Sequence, residues 1–232
     1  VNERQRVEID LVKSLETNEA YGIGTNGEIF DVTFGLYAAE ELKAADGTVI
    51  PEDGLLEVIS LNESGHGKAI SDLPIGSYYV QEISTNSAYI LDDTKYPVVF
   101  EYAGQDTAVV KITANEGEAI SNEIIYDSVS GKKSDEDGNA LGGATLGIFK
   151  TGTAEFTKET AIATTVSAED GSFSFEKVPY GTWIVREIES PKGFVLSEEE
   201  IAVTVGKVDE VVEIELVNEF ITGNIELTKV DK

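Results

Sequence analysis

Three polar residues occupy positions where a β-strand pattern places core side chains. In the stretch 7–13 every second residue is apolar, and Lys13 falls on the apolar side. By the same alternation, Glu82 falls on the apolar side of the stretch 78–82, and Asn122 falls on the side of Ile120. Lysine and glutamate are almost never fully buried unless they are paired. The sequence therefore predicts a lysine, a glutamate and an asparagine that point into one core.

An internal repeat carries the same three residue types a second time. Four pairs of segments match between the halves of the chain: 7–14 with 126–134, 34–41 with 146–153, 73–84 with 178–189, and 118–124 with 214–220. By strand parity the second set is Lys133, Glu187 and Asn218. A further copy of the first segment, at 224–231, brings Lys229 to the equivalent position. A repeated trio is harder to explain as isolated surface ion pairs than a single one.

The repeat divides the chain into a long unit, a shorter unit and the first strand of a third. We expect domains at 1–125 and 126–221, with 222–232 opening a following repeat of a longer tandem array. The long unit contains extra residues near 45–70 and 85–97. Because the joints contain almost no Gly, Pro or Ser tract, we expect neighbouring repeats of the chain to be closely coupled partners.

Short β-branched runs of period two, separated by turn dipeptides, indicate an all-β fold. Many short strands with closely spaced turns are typical of Ig-like β-sandwiches. One helix is expected near 38–45. The turn signals are Asn26-Gly27, Asp46-Gly47, Asp53-Gly54, Asp137-Gly138, Asp170-Gly171 and Lys192-Gly193.

Composition excludes several functional classes. The 232 residues include 17 basic and 44 acidic ones, and a net charge of −27 argues against nucleic-acid binding. Without cysteine the chain has no disulfide and no thiolate nucleophile, and a single histidine excludes a multi-His metal site. We expect no cofactor and no metal. No apolar run is long enough to insert into a membrane and no signal peptide opens the sequence, so we expect a chain that starts within a protein or is cytosolic.

Isolated candidate sites have simpler explanations. Asp135, Asp137 and Asn139 match a calcium loop only in part, and an Asp-Gly hairpin turn accounts for them. His66 is expected in a polar loop at the surface, since no nucleophile-elbow motif supports a Ser-His-Asp site. Trp183 follows strand parity and is expected in the core.

Three segments of the second half resemble a known family. GTWIVREIESPKGF (181–194), DEDGNALGGATLGIFK (135–150) and GNIELTKVDK (223–232) resemble the B-type repeats of Gram-positive collagen adhesins (Cna B-type) and the SpaA-like domains of sortase-assembled pilins. The first unit matches only at its lysine, glutamate and asparagine strands, and it has STNSAY (84–89) where the second has ESPKGF (189–194). The resemblance implies tandem transthyretin- or prealbumin-like sandwiches in an extracellular, cell-wall-attached surface protein.

The resemblance also implies an intramolecular isopeptide bond in each unit, between the first-strand lysine and the last-strand asparagine, assisted by the glutamate. The implied sets are Lys13, Asn122 and Glu82 in the first unit and Lys133, Asn218 and Glu187 in the second. Lys229 would serve a following unit. Burial disfavours the charged forms of amine and carboxyl, so a neutral amine can attack the amide while a carboxylic acid polarises it.

Such a reaction occurs once per unit and modifies only the chain itself, so we do not expect this protein to be an enzyme. The implied function is a structural stalk or spacer of a cell-surface adhesin or pilin. No LPxTG-like signal and no Tyr-Pro-Lys motif occurs, which favours the adhesin stalk over a pilus backbone. The alternative is a ligand-binding adhesin module that recognises a host matrix protein or glycan through the insertions 45–70 and 85–97. A conventional enzyme lacks any visible catalytic constellation.

Overall fold

Extended strands make up most of the molecule, and the all-β prediction is confirmed. The computed structural model describes residues 4–206, 211–223, 226 and 228, and it divides the chain into unit 1 (1–124) and unit 2 (125–232). Lys229 of the predicted third repeat lies outside the described residues. Within the described part of the chain, no helix has both the length and the apolar character needed to cross a membrane.

Unit 1 is built from short strands joined by turns. Its strands are β1 (Arg6–Leu15), β2 (Thr33–Ala38), β3 (Leu42–Lys43), β4 (Val49–Ile50), β5 (Leu55–Ser60), β6 (His66–Ala69), β7 (Gly76–Ser84), β8 (Tyr96–Phe100), β9 (Val109–Thr113) and β10 (Ile120–Asn122). Short 3₁₀ segments occur at Glu28–Asp31 and Ala114–Gly117. The second of them separates β9 from β10.

Unit 2 repeats this framework with fewer strands. They are β11 (Tyr126–Asp135), β12 (Thr145–Lys150), β13 (Ala163–Val166), β14 (Ser172–Pro179), β15 (Gly181–Glu189), β16 (Ile201–Val205) and β17 (Val212–Asn218). One sheet has the order β14-β11-β17 and the other β13-β12-β15-β16. The sheets of unit 1 have the matching orders β6-β1-β10 and β5-β2-β7-β8, with β9 also pairing β1. The two units therefore share one topology.

In each unit the first strand lies beside the last and runs parallel to it. β11 pairs β17 over one continuous register, whereas β1 pairs first β9 and then β10. Asn115 and Glu116 interrupt the last strand of unit 1 with left-handed backbone angles, φ 52° and 54°. The interruption leaves the parallel pairing intact at the end where the strand terminates.

Strand alternation places the apolar residues between the sheets. Ile9 and Leu11 of β1 are fully buried with Phe34 of β2 and Val80 of β7 in the core of unit 1. Trp183 is buried in unit 2, as predicted, and its Nε1 donates a hydrogen bond to the Pro179 carbonyl at 2.9 Å. Burying this apolar surface is the main favourable term in folding each unit.

The helix predicted near 38–45 is wrong. Ala38 is buried as the last residue of β2, and β3 pairs β4 across a turn at Gly47, which has φ 88°. The alanines have a high helix propensity. The Asp46-Gly47 turn and the burial of Ala38 in β2 outweigh that local preference.

The segments predicted as insertions of unit 1 mostly belong to the shared framework. β5 and β6 lie within 45–70 and occupy the sheet positions of β13 and β14. The connection 85–95 is as long as its counterpart 190–200, so 85–97 is not an insertion. His66 is exposed as predicted, but it opens strand β6 rather than lying in a loop. Most of the extra length of unit 1 lies instead in 16–32, between its first two strands, and in 101–119, between β8 and β10.

A buried lysine, glutamate and asparagine in each unit

The parallel pairing of first and last strands brings lysine and asparagine together. In unit 1, Lys13 is the register partner of Ile120, and Asn122 lies two residues further along the same face. The offset recurs in unit 2, where Lys133 pairs Leu216 and Asn218 lies two residues beyond. A lysine side chain is long enough to reach such a diagonal neighbour.

A glycine fixes the backbone of each lysine. The Lys13 N–H donates to the Gly65 carbonyl at 2.8 Å, and the Lys133 N–H donates to the Gly171 carbonyl at 2.8 Å. Both glycines have φ +75°, and a Cβ at either would lie 2.1 Å or 2.3 Å from the lysine carbonyl oxygen. Only glycine fits this conformation and this approach.

The three side chains of unit 1 form a closed polar cluster. The side chains of Lys13 and Glu82 are fully buried, and Asn122 is 2% exposed. Lys13 Nζ contacts Asn122 Oδ1 directly and lies 2.8 Å from Glu82 Oε2. Asn122 Nδ2 donates to Glu82 Oε1 at 2.7 Å and to Thr85 Oγ1 at 2.9 Å. The amide thus lies between the amine and two acceptors.

Unit 2 has the same contact between amine and amide with different surroundings. Lys133 Nζ contacts Asn218 Oδ1, and all three predicted residues of this unit are 1% exposed. Asn218 Nδ2 donates to both Glu187 oxygens at 3.0 Å and 2.9 Å, and to the Val195 carbonyl at 3.0 Å. The Ser197 N–H donates to Glu187 Oε2 at 2.8 Å. The ion pairs of the described residues include none between Lys133 and Glu187.

Burial makes both amines easier to deprotonate. Desolvation lowers the pKa of Lys13, and its hydrogen bond and charge interaction with Glu82 reverse part of the shift. Desolvation also lowers the pKa of Lys133, where only the charges of Glu187 and Glu199 oppose it. A neutral amine is a nucleophile, and each one lies beside an amide whose nitrogen is hydrogen-bonded to a carboxyl group.

The other predicted candidates lie apart from these clusters. The Asp135 carboxylate accepts the N–H groups of Asp137 and Asn139 at 3.1 Å and 2.8 Å, which makes this segment a hydrogen-bonded turn. No group of three or more His, Cys, Asp or Glu side chains in the described ranges could hold a metal ion.

Three further residues that surround the amides were not among the predicted site residues. Thr85 follows β7 by one residue, and Val195 and Ser197 lie in the corresponding connection of unit 2. Two of them take part through the backbone, which carries no signal in the sequence. Thr85 had a signal, because it stands three residues after Glu82 as Ser190 stands three residues after Glu187.

Comparison with known proteins identifies this architecture. The model of the SpaA domain family, described as a prealbumin-like fold domain, matches residues 56–117 and 127–219. Among solved structures, the chain is similar to the Bacillus anthracis TIE protein, with 18% identity, a TM-score of 0.64, 94% of this chain covered and 34% of that one. It is also similar to a C-terminal fragment of the pilus adhesin SpaC from Lactobacillus rhamnosus GG, with 13% identity, a TM-score of 0.55, 97% of this chain covered and 100% of that one.

No curated protein matches the sequence. The chain spans about a third of the length of the TIE protein. The family model covers more than half of the chain, with one matched segment in each unit and the second running through Lys133, Glu187 and Asn218. The chain therefore belongs to the SpaA family of prealbumin-like fold domains.

Proposed function

We propose that each unit joins its first strand to its last through a Lys–Asn isopeptide bond, and that the chain is a stalk of a Gram-positive surface adhesin or pilin. The observation that carries the proposal is the repeated geometry. In both units a buried lysine amine contacts the side-chain oxygen of an asparagine at the same register offset. In both units a buried glutamate accepts a hydrogen bond from the asparagine nitrogen.

The reaction uses only these groups. The neutral lysine Nζ attacks the asparagine Cγ, a Nζ–Cγ bond forms, and the Cγ–Nδ2 bond breaks. The proton lost by Nζ passes through the glutamate carboxyl to Nδ2, which leaves as ammonia, so atoms and charge balance. Folding holds amine and amide in contact, and this proximity replaces a bimolecular encounter with effective molarities of about 10⁵ M or more.

Each bond closes most of a unit into a covalent loop. Lys13 and Asn122 are 109 positions apart, and Lys133 and Asn218 are 85 positions apart. If the chain-entropy relation for disulfides applies, loops of this size stabilise each unit by about 4–5 kcal/mol. An amide cannot be reduced, which suits a chain without cysteine.

The bonds also define a load path. The first and last strands are parallel neighbours, so tension applied at the two ends of a unit enters one strand and leaves through the other. A covalent bond between these strands carries the tension past the rest of the unit. This property suits a stalk, and it agrees with the named similarity to a pilus adhesin fragment. The alternative, a ligand site in insertions at 45–70 and 85–97, has less support because those segments are mostly framework.

Intact-mass measurement of the purified chain tests the proposal. We expect the mass to be lower than the sequence mass by two ammonia molecules. Lys13→Met and Lys133→Met should each restore one of them. The matched control is Lys132→Met, because Lys132 is the exposed neighbour of Lys133 and pairs with Asp170 at 3.4 Å; it should retain both deficits. A full sequence mass in the unmodified chain would refute the proposal.

Single-molecule pulling tests the load path. The intact chain should not lengthen when force is applied at its termini. Glu187→Gln should open unit 2 and release about 300 Å of chain, and Glu82→Gln should open unit 1 and release about 380 Å, at ~3.5 Å per extended residue. Equal extension of intact and variant chains would contradict the stalk function even if the bonds are present.

A further inference from the structure

The hydroxyl of Thr85 lies against the nitrogen that the proposed reaction expels. Thr85 is half-buried, stands three residues after Glu82, and lies just beyond the end of β7. Its Oγ1 accepts a hydrogen bond from Asn122 Nδ2 at 2.9 Å. The bond-forming chemistry described above assigns no part to this residue.

Thr85 and Glu82 together use both hydrogens of the Asn122 amide nitrogen. A primary amide has two N–H donors at one end and a carbonyl acceptor at the other. With one donor on Glu82 Oε1 at 2.7 Å and one on Thr85 Oγ1, the carbonyl oxygen faces Lys13 Nζ. Without Thr85, one N–H loses its acceptor near the core, and Glu82 alone is left to hold the amide. The hydroxyl therefore favours the orientation that reaction needs.

Unit 2 supplies an acceptor at the same place by a different route. The equivalent of Thr85 is Ser190, whose Oγ donates to the Phe194 carbonyl at 3.0 Å. This bond ties down the segment that ends in Val195, and the Val195 carbonyl accepts from Asn218 Nδ2 at 3.0 Å.

The two connections are otherwise matched. They are equally long, and each is anchored to the segment just after the asparagine by an isolated bridge, Tyr89–Ile124 in unit 1 and Phe194–Phe220 in unit 2. A second acceptor beside the glutamate is thus common to both sites, although it is a side chain in one and a backbone group in the other. A shared requirement met by different chemical groups indicates a role in the site rather than in the loop alone.

We infer that the hydroxyl three residues after each glutamate orients the asparagine amide for attack, directly through Thr85 in unit 1 and through the Phe194–Val195 backbone in unit 2. The inference rests on the proposed isopeptide chemistry. The bond that forms and the bond that breaks are those given above, and the hydroxyl neither gains nor loses a proton overall.

The test follows bond formation in the full chain, refolded from denaturant before it has reacted. Samples are quenched over time, digested, and the loss of ammonia is measured for each unit by mass spectrometry. Thr85→Val should slow the reaction in unit 1 about tenfold and leave unit 2 unchanged, because it removes one hydrogen bond of typical net strength. Thr85→Ser should restore the rate. Thr107→Val, at an exposed threonine that donates to the Ala103 carbonyl, is the matched control and should react at the unmodified rate.

A purely structural role is separated by measuring Thr85→Val in the unreactive Lys13→Met chain. The inference requires that Thr85→Val shift the unfolding midpoint of the Lys13→Met chain no more than Thr107→Val does. The slower bond formation of Thr85→Val in the reactive chain is then not explained by a loss of stability. If Thr85→Val fails to fold, Ser190→Ala provides the second variant and should slow unit 2 several-fold. That effect is smaller because the Val195 N–H also bonds the Glu219 carbonyl at 2.8 Å.

The outcomes separate the two proposals. No ammonia loss in the unmodified chain would refute the isopeptide chemistry and this inference with it. Loss of ammonia at the same rate in Thr85→Val and unmodified chains would refute the orienting role alone. A rate that Thr85→Ser fails to restore would also overturn the inference, since methyl packing rather than the hydroxyl would then control the reaction.

Discussion

The clusters of units 1 and 2 bring an amine and an amide into the same contact but balance the buried charge differently. In unit 1 the amine of Lys13 lies 2.8 Å from a Glu82 oxygen, so acid and base are direct partners. In unit 2 the carboxyl of Glu187 is occupied by Asn218 and by the Ser197 N–H, while Lys133 contacts the amide. The comparison teaches that the diagonal register of the parallel strands, rather than one fixed hydrogen-bond network, is the common element.

The variants with the greatest change in stability test whether the two units gain equally from the proposed bonds. Lys13→Met and Lys133→Met keep most of the side-chain volume but remove the nucleophile. Each should lower the free energy of unfolding of its own unit by about 4–5 kcal/mol, and the longer loop of unit 1 should add only about 0.2 kcal/mol. Denaturant unfolding followed by circular dichroism measures both units.

Tryptophan fluorescence assigns the transitions, because Trp183 is the only tryptophan of the chain and is buried in unit 2. Lys133→Met should move the fluorescence transition, and Lys13→Met should leave it in place. If only one of the two variants lowered the stability of its own unit, the repeated geometry would not have the same consequence in both units.

A second prediction concerns the glycines that fix the lysine backbones. Gly171→Ala should destabilise unit 2 by about 2 kcal/mol or more, because it adds a clash with the Lys133 carbonyl to the cost of a left-handed alanine. Gly138→Ala is the matched control. Gly138 has φ +80° with open space around its missing Cβ, so it should cost only about 1 kcal/mol.

The difference between these two variants isolates the close approach at Lys133. Gly65→Ala, measured in the same way, should reproduce the larger effect in unit 1, where the approach is to Lys13. If Gly171→Ala and Gly138→Ala lowered the free energy of unfolding by similar amounts, the close approach of Gly171 to the Lys133 carbonyl would have no effect of its own on stability.

The pH dependence of bond formation tests the electrostatic difference between the two lysines. Burial lowers the pKa of both lysines, but Glu82 opposes the shift at Lys13 through a direct hydrogen bond, and Lys133 has no such contact. A lysine reacts in the neutral form, which is populated above its pKa. As the pH falls, bond formation should therefore slow first in unit 1, and unit 2 should react faster than unit 1 at the lower end of a pH series.

Refolding the unreacted chain over a pH series, with ammonia loss measured for each unit, checks this order. Glu82→Gln would remove the opposing charge as well as the acid, so it cannot serve as the control. The control is Lys68→Met, because Lys68 is exposed and pairs with Glu8 at 3.0 Å. It should leave both pH profiles unchanged. Identical profiles for the two units would contradict the distinction between the sites.

Strand parity was sufficient to predict that the lysine, glutamate and asparagine of each unit enter the core. Lys13, Glu82 and Asn122 are buried because alternation leaves them no other face, and the repeat transfers the result to unit 2. Parity also separates Lys133 from its exposed neighbour Lys132, as the structure finds.

Long-range pairing was beyond the same reasoning. Period two does not show that β1 and β10 are parallel neighbours, since register depends on contacts between residues far apart in the chain. The predicted helix near 38–45 shows local propensity overruled by a turn and a core position. The acceptors Val195 and Ser197 act through backbone groups, which every residue type shares, so no composition or spacing could reveal them.

The break between β9 and β10 has a consequence for damage tolerance. Glu116 is exposed in a left-handed turn, the kind of site where proteases cut. If Lys13 is joined to Asn122 as proposed, a cut there falls inside the covalent loop, so the two pieces remain one branched molecule. Anything attached beyond either end would stay connected after the backbone had been severed.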